Sequence, residues 1–116
     1  MSWFKSSQSN FDWNYIVNEI DLQNAVDYSF EQPVLLFKHS TRCSISSLAK
    51  NRIERGRSEN YYKIYLLDLI KFRSISDEIT KQFNVIHESP QLLKIVNGKC
   101  TYNASHQNVS LENIPD

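Results

Sequence analysis

Apolar positions along this chain change period several times, and each change marks an element. Val34-Leu35-Leu36-Phe37 is an unbroken apolar run directly after Pro33, the pattern of a short strand buried on both faces. Ahead of it, Leu22, Ala25, Val26 and Phe30 recur at helical spacing with Asp21 as N-cap. Tyr15-Ile16-Val17 gives a short, weak strand before that helix. From about Ser44 to Ser58 the spacing predicts a helix with few apolar positions, Leu48 and Ile53 among them. Its basic residues Lys50, Arg52, Arg55 and Arg57 read as a solvated face, and Gly56 loosens its end. Tyr61 to Leu69 reads as a second buried strand. Ser74-Ile75-Ser76-Asp77 reads as a capping box opening a helix whose inner face is Ile75, Ile79 and Phe83. Leu92 to Val96 and Lys99 to Ala104 flank Asn97-Gly98, which predicts a hairpin because a type I′ turn needs positive φ at both central residues. Ser110 to Ile114 suits a short last helix. The order β-α-β-α-β-α-β-β-α describes an α/β domain with parallel strands early and an antiparallel hairpin at the end. Met1 to Phe11, polar and Ser-rich apart from Trp3 and Phe4, is expected to be a loosely held tail, leaving one domain over 12–116.

Composition adds mostly exclusions. A chain of 116 residues with 41% apolar and 22% charged residues is an ordinary globular domain. Lys+Arg and Asp+Glu balance at 13 each without a basic stripe, which argues against nucleic acid as a partner. The absence of a long apolar run argues against a membrane partner, and the polar start does not resemble a secretory signal. Two cysteines suit a reducing compartment, so a cytoplasmic location is expected. The three histidines lack metal-ligand spacing, and no metal is expected.

The chemistry concentrates at Cys43. The strand ending at Phe37 runs through Lys38-His39-Ser40-Thr41-Arg42 into Cys43-Ser44-Ile45-Ser46, where the polar helix begins. A thiol on the first turn of a helix meets free N–H groups and the positive end of the helix dipole, which favour a thiolate, and Arg42 and Lys38 add positive charge in sequence. In a C-x-x-C motif the second thiol would stand at Ser46, so any disulfide chemistry here is monothiol. Ser89-Pro90 directly precedes the first hairpin strand, where the thioredoxin arrangement carries a cis-proline facing the helix-start cysteine.

Phe37 to Ser46 (FKHSTRCSIS), His87-Glu88-Ser89-Pro90-Gln91 and Ala104-Ser105-His106 together resemble the monothiol bacilliredoxin family, also called bacillithiol-system YtxJ-like proteins, over roughly positions 12 to 114. The resemblance implies a thioredoxin-like fold with a central mixed sheet of about four to five strands flanked by helices. It also implies an enzyme that removes bacillithiol from protein mixed disulfides. Cys43 then matches the reactive cysteine, Ser46 the serine closing the motif and Pro90 the cis-proline. Arg42, Ser44, Ile45 and Ser46 would shape the thiolate's surroundings, and Thr41, Ser89, Pro90 and His106 the substrate side. Bacillithiol is a thiol co-substrate in this reading, with S-bacillithiolated proteins as clients and no other cofactor. The family pattern reads Thr-x-Cys-Pro-Ile-Ser. Ser44 replaces that proline here and adds a backbone donor near the sulfur.

Cys100 is not expected to resolve the adduct. With Asn97-Gly98 as the turn, Ile95 faces Cys100, Leu93 faces Tyr102 and Ser105 faces Pro90. Cys100 then shares a core face with Ile95, Leu93 and Tyr102, roughly 16 Å along the strand from Pro90. A structural or solvated role is the default for each histidine; His106, just beyond the active end, is the exception placed to hold a carboxylate of a bound thiol. Trp13, Tyr61, Tyr62 and Phe72 read as core or its rim. Two other functions fit the same residues: a thioredoxin-fold binding module whose Cys43 is not turned over, and an iron–sulfur carrier of the monothiol glutaredoxin type. The second is weakened because Ser44-Ile45 stands in place of the Gly-Phe of the C-G-F-S motif.

Overall fold

The computed structural model describes residues 11–56 and 62–115. Five strands form one mixed sheet in the order β1-β3-β2-β4-β5. They are β1 (Asn14–Tyr15), β2 (Val34–His39), β3 (Lys63–Asp68), β4 (Gln91–Val96) and β5 (Lys99–Ser105). β1, β3 and β2 run parallel, while β4 and β5 are each antiparallel to their neighbours. Helices α1 (Glu19–Tyr28), α2 (Ser44–Gly56) and α3 (Arg73–Phe83) separate the first four strands in the chain. Residues 1–10 of the expected tail lie outside the described residues, as do Arg57, Ser58 and Tyr61. Phe11 packs on Trp13 with ring centroids 4.8 Å apart.

β2 is buried along its whole length, as its unbroken apolar run requires. Its alternate side chains feed two cores. Val34 and Leu36 meet Leu22, Ala25 and Val26 of α1 and Ile75, Ile79 and Phe83 of α3 on one face. Leu35 and Phe37 meet Ala49 and Ile53 of α2 and Val109, Leu111 and Ile114 of the C-terminal segment on the other. The sheet is therefore a middle layer between α1/α3 and α2, which leaves the end of β2 to deliver the chain directly into α2.

Several local expectations need correction. α1 is capped by Asn18, whose Oδ1 accepts from the Asp21 N–H at 2.8 Å, while the Asp21 carboxylate reaches back to the Val17 N–H at 3.0 Å. Asp21 thus serves as the acidic partner in the first turn, not as the cap. Phe30 lies past the end of α1 and is 62% exposed. α3 starts after Phe72 with no side-chain cap, so Ser74 to Asp77 is not a capping box. The short last helix is instead a pair of 3₁₀ turns, His106–Asn108 and Leu111–Asn113.

The hairpin turn forms as expected, with Asn97 at φ 51° and Gly98 at φ 78°. The register beyond it does not. Ile95 pairs with Cys100, but Lys94 pairs with Tyr102 and Gln91 with Ser105, so a bulge at Thr101 shifts every later pair by one. Cys100 packs with Ile95 and Leu93 against the α1/α3 core, whereas Tyr102 packs on the α2 side. A bulge leaves no hydrophobic signature, so alternation alone could not place it.

Candidate active site

Cys43 stands where the chain turns from β2 into α2. Its N–H donates to the Ser40 carbonyl at 3.2 Å, closing a tight turn through exposed Thr41 and Arg42. Its own carbonyl accepts from the Ser47 N–H at 3.1 Å, the first helical bond, so Cys43 occupies the N-cap position. The thiol is half-buried and unpaired. Ser44 and Ile45 are exposed on the first turn, Ile45 to 50%.

Ser46 is fully buried and holds the turn from beneath. Its Oγ accepts from the Ser40 N–H at 2.9 Å and lies 2.7 Å from His39 Nδ1. The hydroxyl has one proton and a second lone pair left for His39, so it donates to Nδ1 when the imidazole proton sits on Nε2 and accepts when it sits on Nδ1. Burial, followed by the nearby Lys50 ammonium, holds His39 below the usual histidine pKa, against the opposing pull of Asp68 and Glu54. His39 stacks on Phe37 and Phe37 on Trp13, at 5.7 and 5.8 Å between centroids. Trp13 Nε1 donates to Glu54 at 2.7 Å, fixing this column against α2.

The Ser89–Pro90 bond is cis. Gln91 pairs with Lys38 across β4 and β2, which puts Pro90 at the end of the sheet where β2 leads to Cys43. The Pro90 carbonyl accepts from the His106 N–H at 3.0 Å, so His106 joins the same rim. Ser105 does not face Pro90; it pairs with Gln91. His106 Nδ1 lies 3.4 Å from the Glu88 carboxylate, and His106 takes a positive φ of 56°. The Ser89 hydroxyl oxygen is buried without a hydrogen-bond partner.

Two other expectations fail. Lys38 does not add charge beside the thiol, because its Nζ is 3.0 Å from His87 Nδ1 and 3.5 Å from Thr80 on the α3 side. The basic face of α2 is not simply solvated. Arg52 donates to the Val109 and His106 carbonyls, both at 2.9 Å, and Lys50 pairs with Glu54 at 2.7 Å. Arg52 thereby ties the helix carrying Cys43 to the segment carrying His106. No sequence pattern marks it, since its partners are backbone carbonyls more than 50 residues away.

Cys100 sits at the far end. Ile95 pairs with both Cys100 and Val34, so Cys100 is level with the start of β2, about 16 Å along the sheet from its last residue. A disulfide requires Cα atoms within about 7 Å. The Cys100 thiol is 3.3 Å from the Tyr102 carbonyl, and burial pushes its pKa up.

This arrangement is similar to that of solved thioredoxin-fold proteins. One, provisionally described as an oxidoreductase with a thioredoxin fold, is 28% identical at a TM-score of 0.78, covering 87% of this chain and 88% of the other. Thioredoxin O2 of Arabidopsis thaliana in its oxidised state is 15% identical at a TM-score of 0.68, covering 84% of each chain. The thioredoxin of Malassezia sympodialis is 13% identical at the same TM-score, covering 82% of this chain and 79% of its own. What separates this site from a two-cysteine one is the buried serine closing the motif and the remoteness of the second thiol. In keeping with that, the model of monothiol bacilliredoxin BrxC matches residues 14–114, and the chain belongs to the monothiol bacilliredoxin family.

Proposed function

We propose that this protein removes bacillithiol from protein mixed disulfides through Cys43. The observation that carries the reading is one accessible thiol at a helix start, on the same sheet end as Pro90 and His106, with no second thiol in reach. Cys43 thiolate attacks the bacillithiol sulfur of the client's mixed disulfide. A Cys43–bacillithiol disulfide forms, the client sulfur–bacillithiol bond breaks, and the client thiolate leaves to take up a proton. The exchange oxidises Cys43 by the same two electrons that reduce the client. A free bacillithiol thiolate then attacks the adduct, releasing bacillithiol disulfide and regenerating Cys43.

Thr41, Ser89, Pro90 and His106 form the substrate rim in this proposal. Glu88 already faces His106, so a bound carboxylate would have to displace it. Arg42, Ser44, Ile45 and Ser46 are assigned to the surroundings of the thiolate in the same proposal. Mass spectrometry of a bacillithiolated model protein tests the assignment. Wild type with free bacillithiol should release the client thiol, and Cys43→Ser should not. Equal release from a glutathione mixed disulfide, with free glutathione supplied, would overturn the choice of bacillithiol. Release by Cys43→Ser would overturn the nucleophile.

A further inference from the structure

Lys38 is a cation that directly follows the apolar run Val34–Phe37 in β2, and it is 1% exposed. Burying an ammonium is unfavourable, and an apolar side chain of similar volume would fill the same place without that penalty. Lys38 falls on the Val34/Leu36 face of β2, toward α3. There its Nζ lies 3.0 Å from His87 Nδ1 and 3.5 Å from Thr80 Oγ1, with Asp77 of α3 acting on its charge. His87 belongs to the segment between α3 and β4. The cross-strand partner of Lys38 is Gln91, also 1% exposed. Gln91 Nε2 donates to the Ile86 carbonyl at 3.0 Å, and its Oε1 accepts from the Glu88 N–H at 3.4 Å. Two adjacent buried polar side chains thus grip three consecutive residues, Ile86, His87 and Glu88. Apolar packing does little of that work, since Ile86 is 82% exposed. Ser89 and Pro90 follow immediately.

The geometry points to Lys38, together with Gln91, as a positioning residue that sets the Ser89–Pro90 rim relative to Cys43 by holding His87. The inference rests on the proposed reaction for its kinetic consequence, though not for its structural one. Lys38 is brought down to about 8 by burial, with Asp77 pulling the other way. His87 is lowered from 6.5 by desolvation, then by Lys38 and Arg73, against Asp77 and Glu88. The ammonium-to-imidazole hydrogen bond therefore exists in a window. Below it, His87 gains a proton at Nδ1 and two cations face each other; above about pH 8, Lys38 loses its charge.

The test compares Lys38→Met, His87→Ala and the double variant with wild type. His87 is exposed, so His87→Ala leaves the fold intact even if Lys38→Met does not. With a bacillithiolated model protein, each single change should raise KM about tenfold, the scale of one charge-assisted hydrogen bond, with little change in kcat. The double variant should be no worse than the worse single one. The ratio of wild type to His87→Ala should be largest near pH 7 and fall as pH rises through about 8, as the lysine loses its charge. Additive losses, an unchanged KM or a pH-independent ratio would overturn the proposal. Backbone amide NMR of the free protein decides the structural part separately. The amides of Ile86 to Gln91 should shift in both single variants, and unmoved amides would overturn it whatever the activity of the wild type.

Discussion

Ser46 occupies the place of a second thiol, and its hydroxyl is spent on structure. It satisfies the Ser40 N–H and His39 at once, inside the protein, so the turn presenting Cys43 is built on it. Ser46→Ala leaves a buried amide and an imidazole nitrogen unpaired and should lower stability by about 1–3 kcal/mol, read as a shift in denaturation midpoint. An unchanged midpoint would show that the turn stands without it. Cys43 and Ser46 were legible in the sequence because chemistry and spacing are both local there. Lys38, Gln91 and Arg52 were not. Their partners lie on other elements, and a polar residue inside an apolar strand does not announce which loop it will hold.

At the scale of elements, the strand–helix order and the Asn-Gly turn followed from periodicity, while caps and register did not. Asn18 and Asp21 are both good capping residues, and only their reciprocal bonds separate the roles. The Thr101 bulge is likewise set by tertiary packing of Cys100 and Tyr102 onto opposite cores. The hairpin turn offers a sharp test. Gly98 has positive φ, and an added Cβ would stand 2.9 Å from the Phe30 ring. Gly98→Ala should therefore destabilise by about 1–3 kcal/mol in chemical denaturation, with the larger value if Phe30 cannot move. A neutral result would mean that the turn relaxes freely. Phe30, misplaced on α1 by its spacing, has its role here as a cover for the turn.

For the whole molecule, the buried titratable groups determine how stability follows pH. His39 titrates below its unfolded value of 6.5 when folded, so its contribution is complete above that pH and is lost as pH falls. Melting temperature should drop from pH 6.5 toward pH 5, and His39→Gln should flatten that limb. Lys38 behaves likewise at higher pH. Its folded value of about 8 lies below the ordinary 10.5, so its own contribution to stability rises between those values, while the raised Cys100 thiol and Tyr65 phenol act in the opposite sense over the same range. Lys38→Met should be at least as stable as wild type at pH 7, with the gap narrowing as pH rises. A stability difference between wild type and Lys38→Met that does not change above pH 8 would contradict the buried cation. All of this chemistry lies at one end of the sheet, and Cys100 at the other. Peptide mapping after exposure to bacillithiol disulfide, paired with turnover of Cys100→Ser, tests the central claim of a single working thiol most directly. The account predicts one bacillithiol adduct on Cys43, no internal bridge, and undiminished turnover without Cys100. A Cys43–Cys100 disulfide in the native protein, with turnover lost in Cys100→Ser, would contradict it.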